Sequence, residues 1–139
     1  MPALSSYDYA IIRIVPHVER GECINVGVIL YCQTRRFLDV LISLDIDRLL
    51  ALAPDSDLED VQHQLASIES ICKGGKEAGP IGALSLSERF HWLVAPRSTI
   101  IQTSPVHSGL SADPRTTLHH LLEAMVLLAQ PQKTRLSNS

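Results

Sequence analysis

Through positions 7–44 the chain alternates apolar and polar side chains with the period of two that a half-buried strand requires. Residues 7–15 are rich in β-branched and aromatic types and predict a first strand, ended by Pro16. Residues 24–32 and 37–44 predict a second and a third, joined by the polar turn Gln33-Thr34-Arg35-Arg36. Connections this short join antiparallel neighbours, so a three-stranded meander is expected. Strict alternation divides it into two faces. Ala10, Ile12, Ile14, Ile24, Val26, Val28, Leu30, Leu38, Val40 and Ile42 make one that is wholly apolar. Tyr7, Tyr9, Ile11, Arg13, Asn25, Gly27, Ile29, Tyr31, Phe37, Asp39 and Leu41 make the other, which is amphipathic. Such a face needs cover, from the chain itself or from a partner.

Beyond the meander the period lengthens to that of helices. Residues 45–53 predict a short helix closed by Pro54. Ser56-Asp57-Leu58-Glu59 has the form of a capping box, in which a serine oxygen and a glutamate carboxylate satisfy free N–H groups at a helix start. Leu58, Val61, Leu65, Ile68 and Cys72 then recur at steps of three and four, and Gly74-Gly75 stops the helix. A second capping box, Ser85-Leu86-Ser87-Glu88, opens a helix through Val94, and residues 98–103 alternate like a further strand. Residues 104–112 predict no regular structure. Asp113-Pro114 supplies an N-cap and a first-turn proline for a last helix, with Leu118, Leu121, Leu122, Met125 and Leu128 inward. The expected architecture is one α+β domain over residues 1–130, an antiparallel sheet of about four strands with helices on one face, and a frayed polar tail at 131–139.

Composition supports a packed core: of 139 residues 45% are hydrophobic and 19% charged, which excludes disorder over most of the length. The net charge of −3 argues against a nucleic-acid binder, although residues 1–70 carry 5 basic and 11 acidic groups and residues 71–139 carry 7 and 4. Cys23, Cys32 and Cys72 are odd in number and widely spaced, so reduced thiols in the cytoplasm are expected rather than disulfides or a zinc knuckle. The N-terminus has neither the basic nor the apolar region of a secretory signal, and no apolar run approaches the roughly 20 residues that span a bilayer.

Familiar catalytic motifs do not fit. Gly74-Gly75-Lys76 follows a helix instead of a strand, and Glu77 stands where a phosphate-binding loop has Ser or Thr. The six histidines lack metal-ligand spacing, and adjacent His119 and His120 diverge by about 100° on a helix. No nucleophile elbow surrounds a serine. Neither a metal nor a cofactor is specified.

Two constellations remain. Arg13, Glu19, Arg20, Glu22 and Asn25 crowd one end of the first hairpin. Arg13 there either pairs with Asp39 or a hairpin glutamate as a structural ion pair, or receives a carboxylate or phosphate from a ligand. Arg89, with Arg97, Ser98, Thr99 and His107, gathers donors around the junction of a helix and a strand. That group is either an anion site or a corner in which Ser98 and Thr99 satisfy loose backbone groups.

These same residues carry a resemblance. Tyr7-Asp8-Tyr9-Ala10, Arg13, Pro16, Glu19-Arg20, Glu22 and Asn25-Val26-Gly27-Val28-Ile29-Leu30 resemble the opening signature of a bacterial family filed as domain of unknown function 3037. Ala78-Gly79-Pro80-Ile81-Gly82, Glu88-Arg89-Phe90, Trp92-Leu93, Ala95-Pro96-Arg97-Ser98-Thr99, Ser104-Pro105-Val106-His107-Ser108-Gly109-Leu110 and Asp113-Pro114 are similar to its second. Cys23 stands where a larger apolar or aromatic residue is usual. Genes for such proteins are often found beside kinases resembling the toxin of bacterial persistence modules, and the resemblance thereby implies a kinase partner. The expectation that follows is a non-catalytic binding or accessory module acting on a protein partner, in its simplest form a homodimer through the amphipathic sheet face. The alternative is a small phosphate- or nucleotide-binding protein or enzyme using Arg13, Arg97 and His107 around one pocket.

Overall fold

A computed structural model describes residues 3–97 and 99–127. Strands β1 (Ser5–Ile14), β2 (Ile24–Cys32) and β3 (Phe37–Ile42) form the expected meander. Helices α1 (Ile46–Leu52), α2 (Leu58–Lys73) and α3 (Leu86–Val94) follow, then strands β4 (Ile101–Thr103) and β5 (His107–Ser111) and helix α4 (Pro114–Leu122). The fold is α+β, with a five-stranded antiparallel sheet in the order β3-β2-β1-β4, in which β5 also pairs with β1. None of its described helices is long and apolar enough to cross a membrane. The tail expected at 131–139 and the helical position Leu128 lie outside the described residues.

The two faces differ from strict alternation because β2 carries a bulge. Ile12 pairs with Gly27 and Arg13 with Asn25, which leaves Val26 unmatched. One extra residue reverses the side of every residue beyond it. Ile29 and Tyr31 therefore join Ile12, Ile14, Ile24, Val26, Leu38 and Val40 in one core, while Val28, Leu30 and Cys32 join Ile11 in another. Gly27 allows the slip: a Cβ there would lie 2.8 Å from the Leu41 carbonyl oxygen and 3.2 Å from both Ile12 and Ile42.

Both faces are covered by the chain, in place of the one-sided helical layer that the pattern suggested. Leu49 of α1, Val61, Leu65, Ile68 and Ile71 of α2, and Phe90 and Leu93 of α3 pack on the first face. Leu118 of α4 and Val126 pack on the second, rimmed by Tyr7, Tyr9, Phe37 and Leu41. Both ends of this helical segment are tied to the sheet. Arg115 donates to Asp39 at 2.7 Å and lies over the Phe37 ring, and Asn25 donates to the Met125 carbonyl at 3.0 Å. After Leu122 the helix widens into a π turn, Glu123–Leu127. The added residue advances the inward position from Met125, which is 41% exposed, to the buried Val126.

Strand β5 replaces the irregular segment expected at 104–112. Its serines, glycine and preceding proline are turn formers, but the free edge of β1 offers unpaired backbone groups that override them. Where Pro105 separates β4 from β5, Ser104 bridges the gap: its hydroxyl accepts from the Ile11 N–H at 2.9 Å while its own N–H donates to the Ile11 carbonyl at 2.8 Å. Helix α2 also starts one residue later than its capping box implied. Asp57 accepts from the Asp60 N–H, because Ser56 is already bound to the Ala53 carbonyl and closes the turn out of α1. The capping box of α3 is formed as expected.

The second core is predicted to matter as much as the first. Leu118→Ala should cost about 3 kcal/mol of unfolding free energy by urea titration, in the range usual for a fully buried leucine; a cost under about 0.5 kcal/mol would mean that α4 is not docked. Two caps predict the acid side. Backbone and side-chain bonding at Ser85 holds the Glu88 carboxyl below its ordinary range, and the Thr116 hydroxyl does most to hold Asp113 below its own. Depressed folded-state values stabilise the fold above the ordinary carboxylate range and lose that contribution as pH falls through it. A Glu88→Gln, Asp113→Asn double variant should therefore show a flatter decline of Tm on acidification than the parent.

Candidate functional site

Arg13 lies on the second face of β1, opposite Asn25 of β2 and Gln102 of β4. Neither expected partner reaches it. Asp39 is taken by Arg115, and Glu22 pairs with Arg20 at 2.9 Å across the solvent-exposed turn out of β1. Glu19 sits in that turn and is exposed. The structural ion pair anticipated for Arg13 is thus not made, since the sheet register places Asp39 beside the start of α4. The Arg13 Nε is buried and has no hydrogen-bond partner among the described residues. Its two neighbours in the ladder turn their amide N–H groups elsewhere, Asn25 to the Met125 carbonyl and Gln102 to the Thr99 carbonyl at 2.9 Å, and neither amide oxygen bonds the Arg13 Nε. A buried guanidinium N–H without an acceptor is costly, and native structures rarely leave one so.

Sequence alone placed Arg13, Glu19, Arg20, Glu22 and Asn25 together, and the structure brings them to one end of the sheet. It adds Gln102 and the π turn, which had no local signal because both arrive by long-range pairing.

The second constellation is dispersed. Arg89 is buried, no described carboxylate pairs with it, and its charge is met by three main-chain carbonyls. It donates to Ile71 and Cys72 at the end of α2, at 2.8 and 2.9 Å, and to Leu84 at 3.1 Å. The negative end of a helix dipole suits a cation there. The glycine-rich loop is shaped around it: a Cβ on Gly74 would lie 2.6 Å from Arg89. Arg89 is therefore a tether between α2 and α3. Arg97 lies over the first face beside Trp92, its guanidinium 4.3 Å from the indole centroid, and donates to the Trp92 and Leu93 carbonyls at the end of α3. Thr99 closes its own turn on the Ile101 carbonyl, and Ser98 lies outside the described residues. His107 is on the other face, paired with Tyr9 in the ladder and with its ring 5.4 Å from the tyrosine ring.

Arg13 and His107 thus share one side of the sheet and Arg97 the other. The three do not converge, so the shared phosphate pocket expected from them is corrected: successive strand positions diverge to opposite faces, and Arg97 belongs to the helical layer on the first. Nor does Cys72 supply a nucleophile, because burial pushes its thiol up to about 12 and keeps it protonated.

A family model described as "Protein of unknown function (DUF3037)" matches residues 9–126, and the chain belongs to that family. Comparison of the chain with the curated proteins and with the solved structures gave no match.

Buried Arg89 and half-buried Arg13 predict opposite outcomes on stability. Arg89→Met removes the donor from three carbonyls and should cost about 3 kcal/mol. Arg13→Met removes a donor that satisfies nothing and should leave unfolding unchanged or raise it by about 1 kcal/mol. Chemical denaturation of both variants checks the contrast; equal losses would show that Arg13 is structural.

Proposed function

We propose that this member of the DUF3037 family is a non-catalytic binding module that takes one acidic side chain of a protein partner onto Arg13. The observation that carries the reading is the buried Nε of Arg13, which has no partner among the described residues. A protein leaves such a group unsatisfied where a ligand satisfies it, at a site whose stability cost is repaid by binding. The guanidinium presents a planar fork of donors, suited to a carboxylate.

Charge selects among anions. Arg13 and Arg20 are balanced by Glu19 and Glu22 at the same end of the sheet, so the surroundings carry no excess positive field. A polyphosphate or nucleic acid needs such a field, whereas one carboxylate in a packed protein contact does not. The amphipathic face expected to mediate self-association is occupied by α4, which favours a partner other than a second copy. The partner class that the family resemblance implies, a kinase similar to a persistence toxin, is the one to test first.

Tagged chain carrying Arg13, Arg13→Lys or Arg13→Gln should be used to capture proteins from its native cells, with light scattering of the purified chain alongside. A kinase in the parent eluate, weakened about thirtyfold or more by Arg13→Gln, with a monomer in light scattering, is the expected result. An unchanged set of partners in the Arg13→Gln eluate would overturn the assignment of Arg13, and a bound nucleotide without a protein would overturn the binding-module reading.

A further inference from the structure

A separate cavity lies on the first face, between α2 and the segment that joins α3 to β4. Its volume is about 210 Å³, which equals roughly seven water molecules at liquid density and is smaller than the roughly 300 Å³ at which drug-sized sites begin. Ile68 and Ile71 of α2 and Ile101 of β4 give it an apolar floor, and Gln64 and Ser67 stand on the same helix. One wall is the indole of Trp92 with the guanidinium of Arg97 lying over it.

Arg97 has the features of a preset anion receptor. Its bonds to the Trp92 and Leu93 carbonyls fix the guanidinium in place, yet they occupy only two of its five N–H donors. Among the described residues the ion pairs are Arg20–Glu22 and Arg115–Asp39, so no described carboxylate neutralises it. Desolvation by burial lowers its pKa, the mark of a cation with little compensating charge. Trp92 is 41% exposed beside it, a large apolar surface that a flat ligand would cover.

We infer that this cavity is a binding site for a small carboxylic acid with an aromatic or branched apolar body, the carboxylate on Arg97 and the body on the isoleucine floor against Trp92. The single cation matches a monoanion. Three isoleucines and an indole favour an apolar body over a sugar or an inorganic ion; of the polar side chains beside Arg97, the Thr99 hydroxyl is already bound to the Ile101 carbonyl, which leaves Gln64 and Ser67 at the edge. The site is on the opposite face from Arg13, and the inference does not depend on the protein-binding proposal.

Trp92 is the only tryptophan in the chain, so its fluorescence reports directly on occupancy. The intact chain is titrated with phenylacetate, with the neutral phenylacetamide and with inorganic phosphate. Phenylacetate should change the emission saturably with a Kd of about 1 mM, as expected for a ligand this small. The amide should bind about tenfold or more weakly, and phosphate should give no saturable change. Arg97→Gln should reduce the acid to the level of the amide. Ser67→Phe, which adds a ring from an exposed position of α2, should abolish both responses with Arg97 in place. The inference is overturned if phenylacetate gives no saturable response, if acid and amide bind equally to the parent, or if Ser67→Phe binds phenylacetate as the parent does.

Discussion

A strand buried on both faces dictates this architecture. Every residue of β2 from Val26 to Cys32 is buried, and those side chains are divided between two separate cores. An antiparallel sheet with one wet face needs only a single layer of helices, but a central strand of this composition needs two. A chain of 139 residues provides the second layer with α4 and the π turn behind it, closed onto the sheet at one end by Arg115 with Asp39 and at the other by Asn25. The Arg115 pair is half exposed and contributes at most about 1 kcal/mol, so burial of Leu118 and Val126 holds the layer and the polar contacts set its register.

Burying apolar strands so completely leaves little room for charge, and the arginines show three different outcomes. Arg115 stays at the rim with a carboxylate. Arg89 enters the interior with its charge spread over main-chain carbonyls at a helix end, an arrangement that needs no acidic partner. Arg13 is carried into the sheet by strand alternation and finds nothing to bond its Nε. The first two explain themselves through the stability they give. The third has no such account within the described fold, and that is what supports the proposed contact with a partner's carboxylate.

Local pattern revealed the elements better than it revealed their relation to one another. The bounds of β2, the Ser85 capping box and the Asp113-Pro114 helix start were legible because each rests on residues within a few positions. The bulge at Val26 was not, since it follows from how β2 meets β1, and it moved Val28 and Leu30 to the opposite face from the one alternation gave. Strand β5 was hidden for the same reason: residues 107–111 pair with β1 across some hundred positions. At the candidate site, the grouping of Arg13 with the hairpin charges was readable from spacing alone. The commitments of Asp39 and Asn25 were not, because α4 and the π turn that engage them arrive last in the chain.

A carboxylate bound as proposed at Arg13 would be coupled to the docking of α4. Arg13 faces Asn25 in the ladder, and the Asn25 carboxamide holds the Met125 carbonyl within a π turn, a conformation rarer than the α-helix that precedes it. A carboxylate seated on Arg13 would lie against the side chain that keeps this turn in register, and Arg13 would become a satisfied group in place of an orphan. Any ligand that binds the docked form better than the undocked one stabilises docking by the same free energy with which docking favours the ligand. Loosening the far end of α4, at Arg115 and Asp39, would by the same reciprocity weaken binding at Arg13 although neither residue touches it.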